Sequence, residues 1–191
     1  MPRVKTEAKE RAILDAAAKV FARKPFHGVL IDEIASDAGI GKGTIYRYFE
    51  TKDDLYFATT LHILDRLAAT LSEALTPEQS STSRLERIAV ECLRFYWDRR
   101  FLFPFLHNDD LPGRRDDLLK RREAILRFAQ EAILSGIERR ELRGIDARIG
   151  AELFLGMVRS ANLFRRSEDT LEELVAQIMS VFFEGVARRE P

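Results

Sequence analysis

Cysteine is nearly absent from this chain of 191 residues, where Cys92 stands alone. One thiol excludes an intrachain disulfide and a thiolate metal cage. The three histidines, His27, His62 and His107, are too dispersed to replace it, so no metal site is expected. No apolar run is long enough to span a bilayer. The N-terminal stretch MPRVKTEAKERAILDAAAKVF lacks the discrete apolar segment and cleavage site of a signal peptide. These absences predict a cytoplasmic protein with no membrane partner. Net charge is missing as well: 31 Lys and Arg balance 31 Asp and Glu, which argues against a chain built throughout to coat nucleic acid. Paired carboxylates at useful spacing, a nucleophile motif and a glycine-rich phosphate loop are all lacking, so neither an enzyme nor a cofactor is expected.

What is present is helical periodicity. An apolar fraction of 46% with 32% charged residues is the balance of a globular domain. Almost every segment from Lys5 to Arg189 repeats its apolar residues at the helical period, and none alternates as a strand does. Breaks at Pro25 to Gly28, Gly39 to Gly41, Thr51, Thr76 to Ser83, Pro104, Pro112-Gly113, Gly144 and Ser167 divide the chain into about nine helices, the first three short. The expected fold is all-α. Charge is modestly polarised along it. Residues 1–52 carry ten basic and seven acidic side chains, a net +3 that the remainder offsets.

The second segment, Leu30 to Ala38, places Leu30, Ile31, Ile34, Ala35 and Ala38 on one helical face and Asp32, Glu33, Ser36 and Asp37 on the other. Gly39 follows where a helix end calls for a left-handed residue, and only Ile40-Gly41 separate it from the next helix. Two short helices joined so tightly form a helix-turn-helix, spanning about residues 30–49, whose second helix enters the DNA major groove. In that helix, Lys42 to Phe49, the wheel gives Ile45, Tyr48 and Phe49 one side and Gly43, Tyr46 and Arg47 the other, with Lys42 at the boundary. Gly43 costs about 1 kcal/mol against alanine in a helix but permits close backbone approach to DNA. Thr51 has the position of an N-cap for the helix that follows, and Lys52 opposes that helix's dipole, which a nearby phosphate would offset.

The run Arg11-Ala-Ile-Leu-Asp-Ala-Ala17, Val20-Phe21, Gly28, Asp32-Glu-Ile-Ala35, Gly39-Ile-Gly-Lys-Gly-Thr-Ile-Tyr-Arg-Tyr-Phe49, Lys52 and Leu55 resembles the signature of the TetR/AcrR family of bacterial transcriptional regulators. The match covers about residues 7–60, and the rest of the chain shares only helical style. The resemblance implies a DNA-binding domain over 1–52 and an effector-binding and dimerisation domain over 53–191. It also implies that Lys42, Gly43, Tyr46 and Arg47 face the groove of double-stranded operator DNA while Thr44, Tyr48 and Lys52 contact phosphates. Tyr48 has a second reading as a core aromatic beside Ile45. Leu30 stands where relatives commonly carry Thr, and Gly41 where they carry Ser, so both helices lack the family's side-chain cap.

In the body, Leu85, Ala89, Cys92, Leu93 and Tyr96 share a face, which makes Cys92 a buried apolar residue. Tyr96, Trp97, Phe101, Phe103 and Phe105, clustered about Pro104, are candidates to line an effector pocket or else to plug the core. Arg122 falls within an apolar stripe of Leu118, Leu119, Ile125, Leu126, Ala129, Ile133 and Ile137. There it meets an internal carboxylate, snorkels outward or receives an anionic effector. The last two helices have wide apolar faces, with Ile149, Leu153, Gly156, Met157, Ser160 and Phe164 on one and Leu174, Ile178 and Phe182 on the other. The resemblance implies that this pair builds a homodimer interface, though burial within one chain also accounts for them. The reading is a dimeric repressor released from its operator by a small apolar or amphipathic effector. The alternative keeps the DNA reader and makes the body a protein–protein module.

Overall fold

The computed structural model describes residues 6–97 and 115–186. Among them are eight α-helices and no strand: α1 (Glu7–Arg23), α2 (Ile31–Asp37), α3 (Lys42–Tyr48), α4 (Lys52–Ala74), α5 (Ser81–Trp97), α6 (Arg115–Glu138), α7 (Ala147–Leu163) and α8 (Leu171–Val186), with a 3-10 turn at Phe26–Gly28. The fold is all-α, as the periodicity predicts. The further helical segment expected around Pro104 lies outside the described residues. These group into two compact units, one of 6–65 with 115–118 and one of 66–97 with 119–186. The division between these units falls inside α4.

In the first unit α1 packs on α2 and α2 on α3. The core is built from Ile13, Ala17 and Phe21 of α1, Ile34 of α2, Ile45 of α3 and Leu55 of α4. Phe21 meets Tyr56 edge-on at 4.8 Å, and Phe26 meets the same ring at 5.2 Å, an arrangement favoured by the ring quadrupoles. Burial pushes the Tyr56 phenol well above its ordinary value. On the rim, Asp15 of α1 and His62 of α4 are joined at 2.9 Å.

In the second unit α5 packs against α7 and α8, and α7 against α8. Two glycines set how closely its helices approach. A Cβ at Gly136 of α6 would lie 2.5 Å from Ser81 Oγ of α5, and one at Gly150 of α7 would lie 3.2 Å from Ile133 Cδ1 of α6. Phe154 and Phe182 pack edge-on at 5.1 Å between α7 and α8. Leu119, expected on the buried stripe of α6, is exposed instead, because the buried face begins at Ile125 and Leu126.

Helix starts follow local chemistry. Thr51 and Asp54 form a reciprocal capping box on α4: the Asp54 N–H donates to Thr51 Oγ1 at 3.0 Å, and the Thr51 N–H donates to Asp54 Oδ2 at 2.9 Å. Thr170 and Glu173 do the same for α8, and Asp146 caps α7 through the Ile149 N–H.

Candidate nucleic-acid interface

The turn between α2 and α3 is fixed by its hydrogen bonds. The Gly39 N–H donates to the Ser36 carbonyl at 3.1 Å and the Ile40 N–H to the Ala35 carbonyl at 2.9 Å, with Gly39 at φ +64°. This is a Schellman ending, and the positive φ is why glycine stands there. Helix α3 begins three residues later on Gly41, which offers no side-chain cap. Ile45 and Phe49 are buried beneath α3, and this fixes the roll of the helix. Gly43, Tyr46 and Arg47 are consequently exposed on its outer side. A Cβ at Gly43 would meet nothing within 4 Å, so the fold itself does not demand glycine at this position.

Thr44 is half-buried. Tyr48 is half-buried too, and its hydroxyl accepts the Thr6 N–H at 3.0 Å, an intrachain tie between the start of α1 and the end of α3. Leu30 is a correction: expected on the buried face of the second helix, it is 61% exposed, because it stands before the first helical residue as an extended N-cap with no side-chain bond. Lys52 has an intrachain reason for its place besides phosphate, since its ammonium sits 4.5 Å above the Phe26 ring.

The face of α2 opposite its apolar side carries Asp32, Glu33 and Asp37. Each of its carboxylates is matched by a lysine: Lys42 Nζ donates to Asp32 at 2.8 Å, Lys24 to Glu33 at 2.5 Å and Lys19 to Asp37 at 3.3 Å. The Lys24 bond holds Glu33 below its usual range, and the Asp32 bond raises Lys42 above its own. The signal available in the sequence was that three lysines, Lys19, Lys24 and Lys42, flank a helix with three carboxylates.

In the second unit, Tyr96 and Trp97 are half-buried at the end of α5. The Arg165 guanidinium lies 3.9 Å from the Trp97 ring and donates to the Trp97 carbonyl at 2.7 Å. Burial raises the Tyr96 phenol, opposed by the nearby charges of Arg159 and Arg122. Arg122 pairs with Glu152 of α7 at the surface, with 55% of its own side chain and 30% of the glutamate's left in solvent. Phe101, Phe103 and Phe105 lie outside the described residues.

The dimer-interface candidates divide. Ile149, Leu153 (62% exposed), Ser160 and Phe164 (78%) face outward on α7, Gly156, Met157 and Leu174 are half-buried, and a Cβ at Gly156 would meet nothing within 4 Å. Ile178 and Phe182 are each 4% exposed within the single chain, Phe182 with its ring against Phe154 of α7. Val181 of α8 is an exposed large apolar residue among those described, and the sequence reading missed it along with Leu163. The spacing of Leu174 and Val181, seven apart, was the available signal.

Comparison with known proteins adds to this geometry. The profile of bacterial regulatory proteins of the tetR family matches residues 13–59. The transcriptional activator FasR of Mycolicibacterium smegmatis is 34% identical over 89 residues, 47% of this chain and 40% of its own length. The regulator RutR of Escherichia coli O157:H7 is 32% identical over 130 residues, 62% of this chain and 60% of its own. The chain thus spans less than two thirds of these relatives. Among solved structures, the regulator FadR from Bacillus subtilis in complex with stearoyl-CoA superposes with a TM-score of 0.76 at 20% identity, covering 92% of this chain and 98% of that one, which is a shared fold.

Proposed function

Because the chain belongs to the TetR/AcrR family of bacterial regulators, we propose that it is a dimeric DNA-binding transcriptional repressor that a small amphipathic effector releases from its operator. The observation that carries this reading is the outward trio Gly43, Tyr46 and Arg47 on α3, held by the buried Ile45 and Phe49 beneath it and by the Gly39 turn before it. A short helix that exposes an aromatic beside a cation, with a glycine in its first turn that permits close backbone approach, suits a major groove. Residues 1–52 act as the reader and 53–191 as the sensor and dimerisation body. Two readers in a dimer engage successive major grooves of a pseudo-palindrome. An effector that binds better to a different reader spacing shifts the population away from the DNA-bound form.

The exposed Ile149, Leu153 and Leu163 of α7, Phe164 at its C-cap and Val181 of α8 support the dimer, since large exposed apolar side chains mark a candidate interaction surface. The stearoyl-CoA held by the structurally similar FadR supports an effector of the acyl-thioester class. The test is anisotropy of a labelled duplex, selected by the protein from a random pool, during titration with stearoyl-CoA. Release of the duplex at saturating ligand is expected, and tighter or unchanged binding opposes it. An activator is the second reading, favoured by the name of FasR. Transcription in vitro from a promoter carrying the selected site distinguishes the two.

A further inference from the structure

We propose that Asp32 is a specificity-determining residue: by holding the Lys42 ammonium at the first turn of α3, it keeps Lys42 from acting as an indiscriminate phosphate anchor. The proposal rests on the reading of α3 as the DNA-facing helix. Lysine is a mobile point charge on a four-carbon stem, and at the edge of a DNA-facing helix it normally takes any phosphate in reach. Here Nζ donates to Asp32 Oδ2 at 2.8 Å, and both side chains remain near solvent, Lys42 at 48% exposure and Asp32 at 65%. The bond is charge-assisted and links residues ten apart on two different helices, so it constrains Lys42 across the turn.

Two consequences separate phosphates from bases. A phosphate drawn to Lys42 must compete with the Asp32 carboxylate and then lie close to its negative charge. A neutral guanine edge meets no such repulsion, and the ammonium, with three donors of which Asp32 engages one, has donors left for it. Asp32 and Glu33 also stand in the first turn of α2, where negative charge is locally favourable, so Asp32 costs its own helix nothing. Lys24 and Lys19 are matched in the same way to Glu33 and Asp37, which leaves the acidic face of α2 neutralised without a contribution from DNA.

The experiment measures binding of the full chain to a random-sequence duplex of about three helical turns and to a selected operator duplex, across a series of salt concentrations. Measurable wild-type binding to the random duplex establishes the DNA-binding reading on its own; if there is none, that reading fails. Given such binding, Asp32→Asn is expected to raise random-duplex affinity several-fold and to steepen the slope of log affinity against log salt by about one unit per chain, as one further counterion is released. Operator affinity should rise less, so that the specificity ratio falls. In a Lys42→Met background the same Asp32→Asn change should leave the slope where Lys42→Met alone puts it. An unchanged slope in Asp32→Asn overturns the proposal, as does an equal effect of that change with and without Lys42, which would make Asp32 a direct repellent of DNA. Asp32→Ser gives the same reading if the Asn variant does not fold.

Discussion

The backbone N–H of Thr6 donates to the Tyr48 hydroxyl at 3.0 Å, so the residue that opens α1 is tied to the one that closes α3, 42 positions later. Tyr48→Phe keeps the ring in place and removes the acceptor. The expected loss is about 0.5–1.5 kcal/mol, toward the low end because Thr6 is exposed and water replaces the partner. Urea unfolding of the two proteins side by side measures it, and equal midpoints would show that the tie carries no stability.

Two glycines should respond to alanine with opposite signs. Gly136→Ala forces a Cβ to within 2.5 Å of Ser81 Oγ and 2.9 Å of Leu142 Cδ1, an overpacking that costs about 1–3 kcal/mol. Gly43→Ala meets open space and gains up to about 1 kcal/mol of helix propensity, while placing a methyl group where DNA is proposed to approach. The combination expected for Gly43→Ala is a more stable protein that binds DNA less tightly. Thermal melts paired with anisotropy read both. A variant that gained stability and kept full affinity would remove the backbone-approach argument.

Much of this was legible in the sequence, and the parts that were not share a cause. The roll of α3 followed from its apolar residues because Ile45 and Phe49 leave only one way to bury it. The buried state of Cys92 followed for the same reason on α5. For α7 and α8 the wheel found apolar residues on nearly every side, and periodicity cannot say which face meets its own chain. Leu153 and Phe182 look alike as letters, and only packing against Phe154 separates them. The lysines paired to α2 come from α1, the segment after it and α3, so no single helical wheel displays them.

The division of those faces is testable. Leu153→Glu, at an exposed position of α7, is expected to yield a folded monomer of about 22 kDa by light scattering. Phe182→Glu places a charge in the core and should instead lower stability by several kcal/mol, on the order of the cost of an unpaired buried charge. A Leu153→Glu protein that kept the wild-type mass would move the interface elsewhere.

Burial, with a smaller contribution from Glu91, pushes the Cys92 thiol up to about 12 from an ordinary value of 9.0. The folded chain therefore holds this proton to higher pH than the unfolded chain does. The thiol imposes no penalty below about pH 9, and between about 9 and 12 its preferential ionisation when unfolded lowers stability by about 1.4 kcal/mol per pH unit. Denaturant midpoints across pH 7 to 10.5, compared with Cys92→Ala, check the sign: the wild type should lose stability more steeply on the alkaline side, and parallel curves would contradict it.

The central claim is that the outer face of α3 reads DNA sequence, and selection from a random duplex pool tests it most directly. Wild-type protein is expected to enrich a two-fold related motif whose half-sites lie about one helical turn apart. Arg47→Ala should lose preference at one position of each half-site, by on the order of 1–3 kcal/mol, while its binding to random sequence changes little. If the wild type enriches no motif, or if Arg47→Ala, Tyr46→Ala and Lys42→Ala all recover the wild-type motif unchanged, then α3 does not read bases.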